Sequence, residues 1–164
     1  MYIVAVLMER ALNELDAEQI VALHEGLDEP VQYQLIIPVE STSSALASSL
    51  GALGTAEIAP VIEPEAVIAA AEEVRRAGQD ELDASAELLR ARGQQVVATL
   101  TEDEPVRTLI DVVKSTNAAE AIILTEPHLV KEFFGLDWTA RAKRRLEVPT
   151  LHLLEHVPFS GQAR

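Results

Sequence analysis

Apolar and polar residues alternate along this chain in blocks that switch repeatedly between strand and helix periods. Tyr2 to Leu7 is a wholly apolar, β-branched run, which predicts a strand buried on both faces of a parallel sheet. Asp16 is placed to cap a helix running to about His24, with Gly26 stopping it before the Asp28-Glu29-Pro30 turn. Val31 to Val39 predicts the second strand. Residues 41–62, rich in Ser, Ala and Gly, form a long connection expected to be partly mobile. From Glu65 to Arg92, Val67, Ala71, Val74, Gly78, Leu82, Ser85 and Leu89 recur every three or four residues. That spacing predicts one long helix, despite the roughly 1 kcal/mol that an interior glycine costs relative to alanine.

The stretch from Gly93 to His156 then runs strand, helix, strand, helix, strand. Gln95 to Leu100 is the third strand, and Glu102-Asp103-Glu104-Pro105 starts a helix packed through Val106, Leu109, Ile110 and Val113. Ala119 to Leu124 is the fourth strand. Asp137 is placed to cap a helix to Leu146, and Pro149 to Glu155 is the last strand. Strands alternating with helices predict an α/β fold, a mostly parallel sheet between helical layers with right-handed crossovers. The 164 residues fit a single domain over 1–158 with a tail over 159–164.

Charge and composition narrow the function classes. The net charge is −14, and residues 1–106 carry 20 acids against 5 bases. Such a surface repels a phosphate backbone, so no nucleic-acid partner is expected. No run approaches the roughly 20 apolar residues of a membrane span, and the start of the chain lacks a basic leader. Cysteine is absent, which removes thiolate chemistry and suits a cytoplasmic location. No Walker loop or nucleophile elbow is present. His152-Leu153-Leu154-Glu155-His156 matches a zinc-peptidase pattern, but in a strand residues four apart lie roughly 13 Å from each other, so no metal site is expected.

Glu87-Leu88-Leu89-Arg90-Ala91-Arg92-Gly93, Asp103-Glu104-Pro105, Ala121-Ile122-Ile123-Leu124 and Val148-Pro149-Thr150-Leu151-His152-Leu153-Leu154 follow one another in an order and spacing that resembles the universal stress proteins. The resemblance covers nearly the whole chain. It implies a five-stranded sheet of order 3-2-1-4-5, like that of the adenine-nucleotide α-hydrolases, and a homodimer formed through the last strand. Leu151, Leu153 and Glu155 are the candidate interface residues.

ATP-binding members of that family carry Gly-x2-Gly-x9-Gly-Ser/Thr after the fourth strand, where backbone N–H groups wrap the phosphates. Here Thr125-Glu126-Pro127-His128-Leu129 takes that place, Pro127 offers no N–H, and Leu136-Asp137 falls where the Gly-Ser pair belongs. A carboxylate at that helix start would repel a phosphate by on the order of 4 kcal/mol at about 4 Å. The aspartate that usually ends the first strand is replaced by Leu7 and Met8, with Glu9 the nearest acid. Leu7, Glu9, Val39, Glu40, Thr125, Glu126 and Asp137 are the cleft candidates, since sheets of this kind bind ligands at the carboxyl ends of their strands.

Arg141, Lys143, Arg144 and Arg145 form the chain's one basic cluster, on a helix whose inward stripe is Trp138, Ala142 and Leu146. Their placing near a helix C-terminus complements its dipole, and an acidic partner is the other use for them. Phe133-Phe134 would plug the cleft or form a contact surface, with a core role expected for at least one ring. The reading is of a non-enzymatic stress or regulatory module with no catalytic residues and no cofactor, working through a protein partner or a small ligand other than ATP. An adenine-nucleotide enzyme with an unusual phosphate site is the alternative.

Overall fold

The computed structural model describes residues 1–39, 63–127 and 134–162, with the backbone alone for 134–137. Five strands, β1 (Tyr2–Met8), β2 (Val31–Pro38), β3 (Gln95–Thr101), β4 (Glu120–Thr125) and β5 (Thr150–Leu154), form one sheet in the order β3-β2-β1-β4-β5. All four pairings are parallel. The helices α1 (Glu14–Ala22), α2 (Pro64–Arg90), α3 (Pro105–Thr116), α4 (Phe134–Arg145) and the short α5 (Phe159–Gln162) fill the connections and follow the last strand. The expected mobile connection over 41–62 lies outside the described residues, as does Phe133.

Alternation along the central strand divides the core. Val4, Val6 and Met8 face one layer with Ile20, Leu82 and Leu89, whereas Ala5 and Leu7 face the other with Val106, Leu109 and Ala142. Both faces of β1 are therefore apolar, which is why its sequence is an unbroken apolar run. In α2 the buried side chains are Leu82, Ser85, Ala86 and Leu89, all in its C-terminal half. The helix is continuous through Gly78, whose missing Cβ lets it approach Leu100 of β3, as a Cβ there would lie 3.1 Å from Leu100 Cδ1.

The helix starts need two corrections. The cap of α1 is Asn13, and Asp16 is the other half of a capping box: Asn13 Oδ1 accepts the Asp16 N–H at 2.9 Å and Asp16 Oδ2 accepts the Asn13 N–H at 3.1 Å. Asp137 is not the N-cap residue of α4, because the helix begins three residues earlier, at Phe134, and takes it into the first turn. Around α3 the expectation holds in finer detail, as Glu104 accepts the N–H groups of Val106 and Arg107 at 3.2 and 2.9 Å.

Candidate functional site

In a sheet of this order the connections leave β1 and β4 in opposite directions, opening a crevice beyond their carboxyl ends. Glu9, Arg10, Pro38, Val39, Glu126, Pro105 and Trp138 line a cleft there of about 260 Å³. Of the sequence candidates, Glu9, Val39 and Glu126 meet in it. Leu7 and Thr125 do not, since both are wholly buried, Leu7 in the core beneath α3 and Thr125 bonded through Oγ1 to His152 Nε2 at 2.7 Å. Glu40 and the Asp137 side chain lie outside the described residues.

The backbone amides of Glu9, Arg10 and Glu126 at this crevice are already bonded to the protein's own side-chain carboxyl groups. Glu155 Oε1 accepts the N–H groups of Glu9 and Arg10, each at 3.0 Å, and Glu9 Oε2 accepts the Glu126 N–H at 2.8 Å. The next residue, Pro127, has no N–H to offer. A little further along, Glu81 Oε2 accepts the Ala11 N–H at 3.0 Å and Ser85 Oγ the Leu12 N–H at 2.9 Å. The Arg10 guanidinium lies 3.4 Å from Glu126 and 3.6 Å from Glu81, joining two acidic side chains across the cleft mouth.

Glu155 corrects the interface expectation. It is wholly buried, and Leu153 belongs to the apolar core, so both serve the interior of the protomer. Leu151, on the same face of the strand, is 40% exposed and keeps its side chain at the surface. The inward turn of Glu155 follows from the chain leaving β5. His156 adopts a left-handed conformation with φ 60°, donates its N–H to Asp16 Oδ1 at 2.7 Å and bonds Asp16 Oδ2 through Nδ1 at 2.8 Å. Burial, with the charges of Glu9 and Glu126 added, pushes the Glu155 carboxyl up to about 8 against the opposing pull of its two backbone donors. Its second oxygen has no hydrogen-bond partner among the described residues. Burial, then the charge of Lys143, lowers the His152 pKa.

His152 and His156 thus have separate partners, and among the described residues no group of three His, Asp or Glu side chains is placed to hold a metal. The basic helix is as expected on its inner side, with Ala142 and Leu146 buried and Trp138 packed against them. Arg141 pairs with Glu104 at 3.2 Å, tying α4 to the start of α3, while Lys143, Arg144 and Arg145 are exposed.

A polar group that sequence reasoning missed sits at the opposite end of the sheet. His24 Nδ1 lies 2.9 Å from Tyr33 Oη and 2.9 Å from the Ile20 carbonyl, His24 Nε2 lies 2.5 Å from Glu120 Oε1, and Tyr2 Oη donates to Glu120 Oε2 at 3.1 Å. The hydrogen bond from His24 lowers the Glu120 pKa against its partial burial. The pairing of Val4 with Glu120 in the sheet register brings these distant residues together. No local signal announces it.

The fold and crevice define a doubly wound parallel α/β protein with a switch-point cleft. Its fold is that of the universal stress proteins. One solved relative in fold is the universal stress protein from Archaeoglobus fulgidus, with TM-score 0.51, 12% identity, and 93% of each chain covered. Another is hypothetical protein MJ0577, with TM-score 0.58, 10% identity, and 92% of this chain and 95% of that one covered. No protein-family model matches the chain, and no curated protein matches it in sequence. Among the described residues no helix is long and apolar enough to cross a membrane.

Proposed function

We propose that this chain is a non-enzymatic stress or regulatory module that does not hold ATP as nucleotide-binding members of its fold do. It acts as a homodimer through protein contacts or another small ligand. One observation carries this reading: the amides of Glu9, Arg10 and Glu126, at the strand ends where an anion would bind, are satisfied by the side-chain carboxyl groups of Glu155 and Glu9. An incoming phosphate would have to displace the carboxyl of Glu155 and the carboxylate of Glu9, and would gain no N–H from Pro127. The absence of cysteine suits a cytoplasmic setting.

The adenine-nucleotide enzyme reading draws on a single feature, the Glu155 carboxyl titrating near neutrality beside the cleft. Against it stands the complete burial of that residue, which does not line the cleft and so has no route to a ligand. Isothermal titration with MgATP, beside native mass spectrometry of the purified protein, tests the proposal. The expected result is no heat of binding and no carried nucleotide. Binding at micromolar affinity would sink it.

A further inference from the structure

The β3 edge of the sheet presents a second, unassigned surface. The Thr101 carbonyl accepts the Val39 N–H at 2.8 Å, so Thr101 faces β2. In a parallel strand a residue's own N–H and C=O point the same way and successive residues alternate, so Thr99 and Val97 also face β2, whereas Val96, Ala98 and Leu100 face outward. The Val96 carbonyl agrees with this assignment, because Arg90 bonds it at 3.3 Å from the outer side. Among the described residues no strand pairs with that side, and the groups of Ala98 and Leu100 are left on the open edge.

Beside this edge runs a hollow of about 500 Å³, floored by Thr99 and Thr101 and walled by Thr108, Asp111, Val112 and Ser115 of α3. It exists because α3 packs over β1 and β2 and stops short of β3. Glu102, Asp103 and Asp111 give its rim negative charge, and its single cation, Arg75, is bridged to Glu102 at 2.9 Å. Val97, 43% exposed, continues the apolar surface along the strand.

We propose that the β3 edge from Ala98 to Leu100 is a docking site for an extended segment of a partner protein that adds to the sheet as a sixth strand. Main-chain hydrogen bonds to Ala98 and Leu100 supply its register, and alternate side chains project over the hollow, where the carboxylates select lysine or arginine. Arg90 bars the strand from continuing past Val96, which limits the site to the acidic end of the edge. A second copy of this chain fits poorly, because it brings a net charge of −14 and, among the described strands, none with a lysine or arginine.

An acetylated heptapeptide alternating lysine and valine is the probe, with its glutamate–valine counterpart as control. The expected result is binding by the lysine peptide on the order of 100 µM, at least about tenfold tighter than the control. Hydrogen exchange of the Ala98 and Leu100 amides slows on binding. Ala98→Pro removes an outward donor and spares the β2–β3 ladder, so it abolishes binding, while Asp111→Lys on the exposed face of α3 weakens it at least about fivefold. Should the proline variant not fold, the amide protection and the Asp111→Lys result decide. Equal binding of both peptides, unprotected Ala98 and Leu100 amides, binding untouched by Asp111→Lys, or sedimentation showing copies of this chain paired at this edge would each overturn the proposal.

Discussion

Glu155 and Glu120 set opposite limbs of the stability curve. Glu155 titrates at about 8 in the folded chain against an ordinary 4.5, so below 4.5 both states hold its proton and no penalty arises. Between 4.5 and 8 the unfolded chain releases a proton that the folded chain keeps, and stability falls as pH rises through that window. Glu120 runs the other way: its pKa is lowered, so its contribution is present above 4.5 and is lost as the pH falls through the lowered value. Denaturant unfolding across pH should therefore show greatest stability in the mildly acidic range. Glu155→Gln, which keeps an acceptor for the Glu9 and Arg10 amides, should flatten the upper limb and raise stability at pH 9 by on the order of 2 kcal/mol. An unchanged pH profile in that variant would contradict the assignment. Glu120→Ala leaves His24 Nε2 and Tyr2 Oη without their acceptor and should cost about 2–3 kcal/mol at pH 7, read from the same unfolding curves. Neither acid could be weighted from the sequence. The environment of Glu155 comes from the strand ends at Glu9 and Glu126, and that of Glu120 from His24 beyond α1 and Tyr2 of β1, so both depend on contacts far apart in the chain.

At the level of elements, the periodic stretches translate directly into structure, whereas the caps depend on small competitions between neighbouring polar residues. The start of α1 offers two capping residues, Asn13 and Asp16, and the helix uses both, beginning at Glu14. Reading Asp16 alone shifts the start by three residues. Asn13→Ala removes the acceptor for the Asp16 N–H and should cost about 1 kcal/mol in thermal or denaturant unfolding. In α2 the periodicity carried the helix correctly through Gly78, because one weak residue does not outweigh the apolar stripe around it. Gly78→Ala should raise stability by about 0.5 kcal/mol: the helical gain of up to about 1 kcal/mol is partly offset by the move demanded of Leu100 Cδ1, the end of a half-buried side chain. A fall in melting temperature would mean that Leu100 is fixed by the packing of β3. The cleft was legible only in part for a related reason. Position at a strand end marked Glu9, Val39 and Glu126, but strand alternation turned Leu7 into the core, and the bond to His152 took Thr125 out of reach.

For the whole molecule, the sheet has two edges with different chemistry, and that difference suits them to different partners. The β3 end carries the acidic hollow with Asp111 and Glu102, which suits a basic strand from elsewhere. The β5 end carries Thr150–Leu154, with Leu151 exposed and the neighbouring side chains of Leu153 and Glu155 turned inward. Gln162 already takes the N–H and C=O of Leu154, but the edge at Thr150 and His152, beside an exposed leucine, meets its own copy without repulsion in a two-fold contact. Sedimentation velocity at micromolar concentration should therefore give a dimer, and Leu151→Lys should shift it to monomer while leaving the circular dichroism spectrum unchanged. Because Leu153 and Glu155 hold the protomer together, substituting either should instead lower stability, with loss of the dimer only as the fold is lost. The two kinds of variant thus separate an edge contact from a folding defect. A parent chain that sediments as a monomer would remove β5 as the self-association edge and leave this acidic protein to act through a different partner.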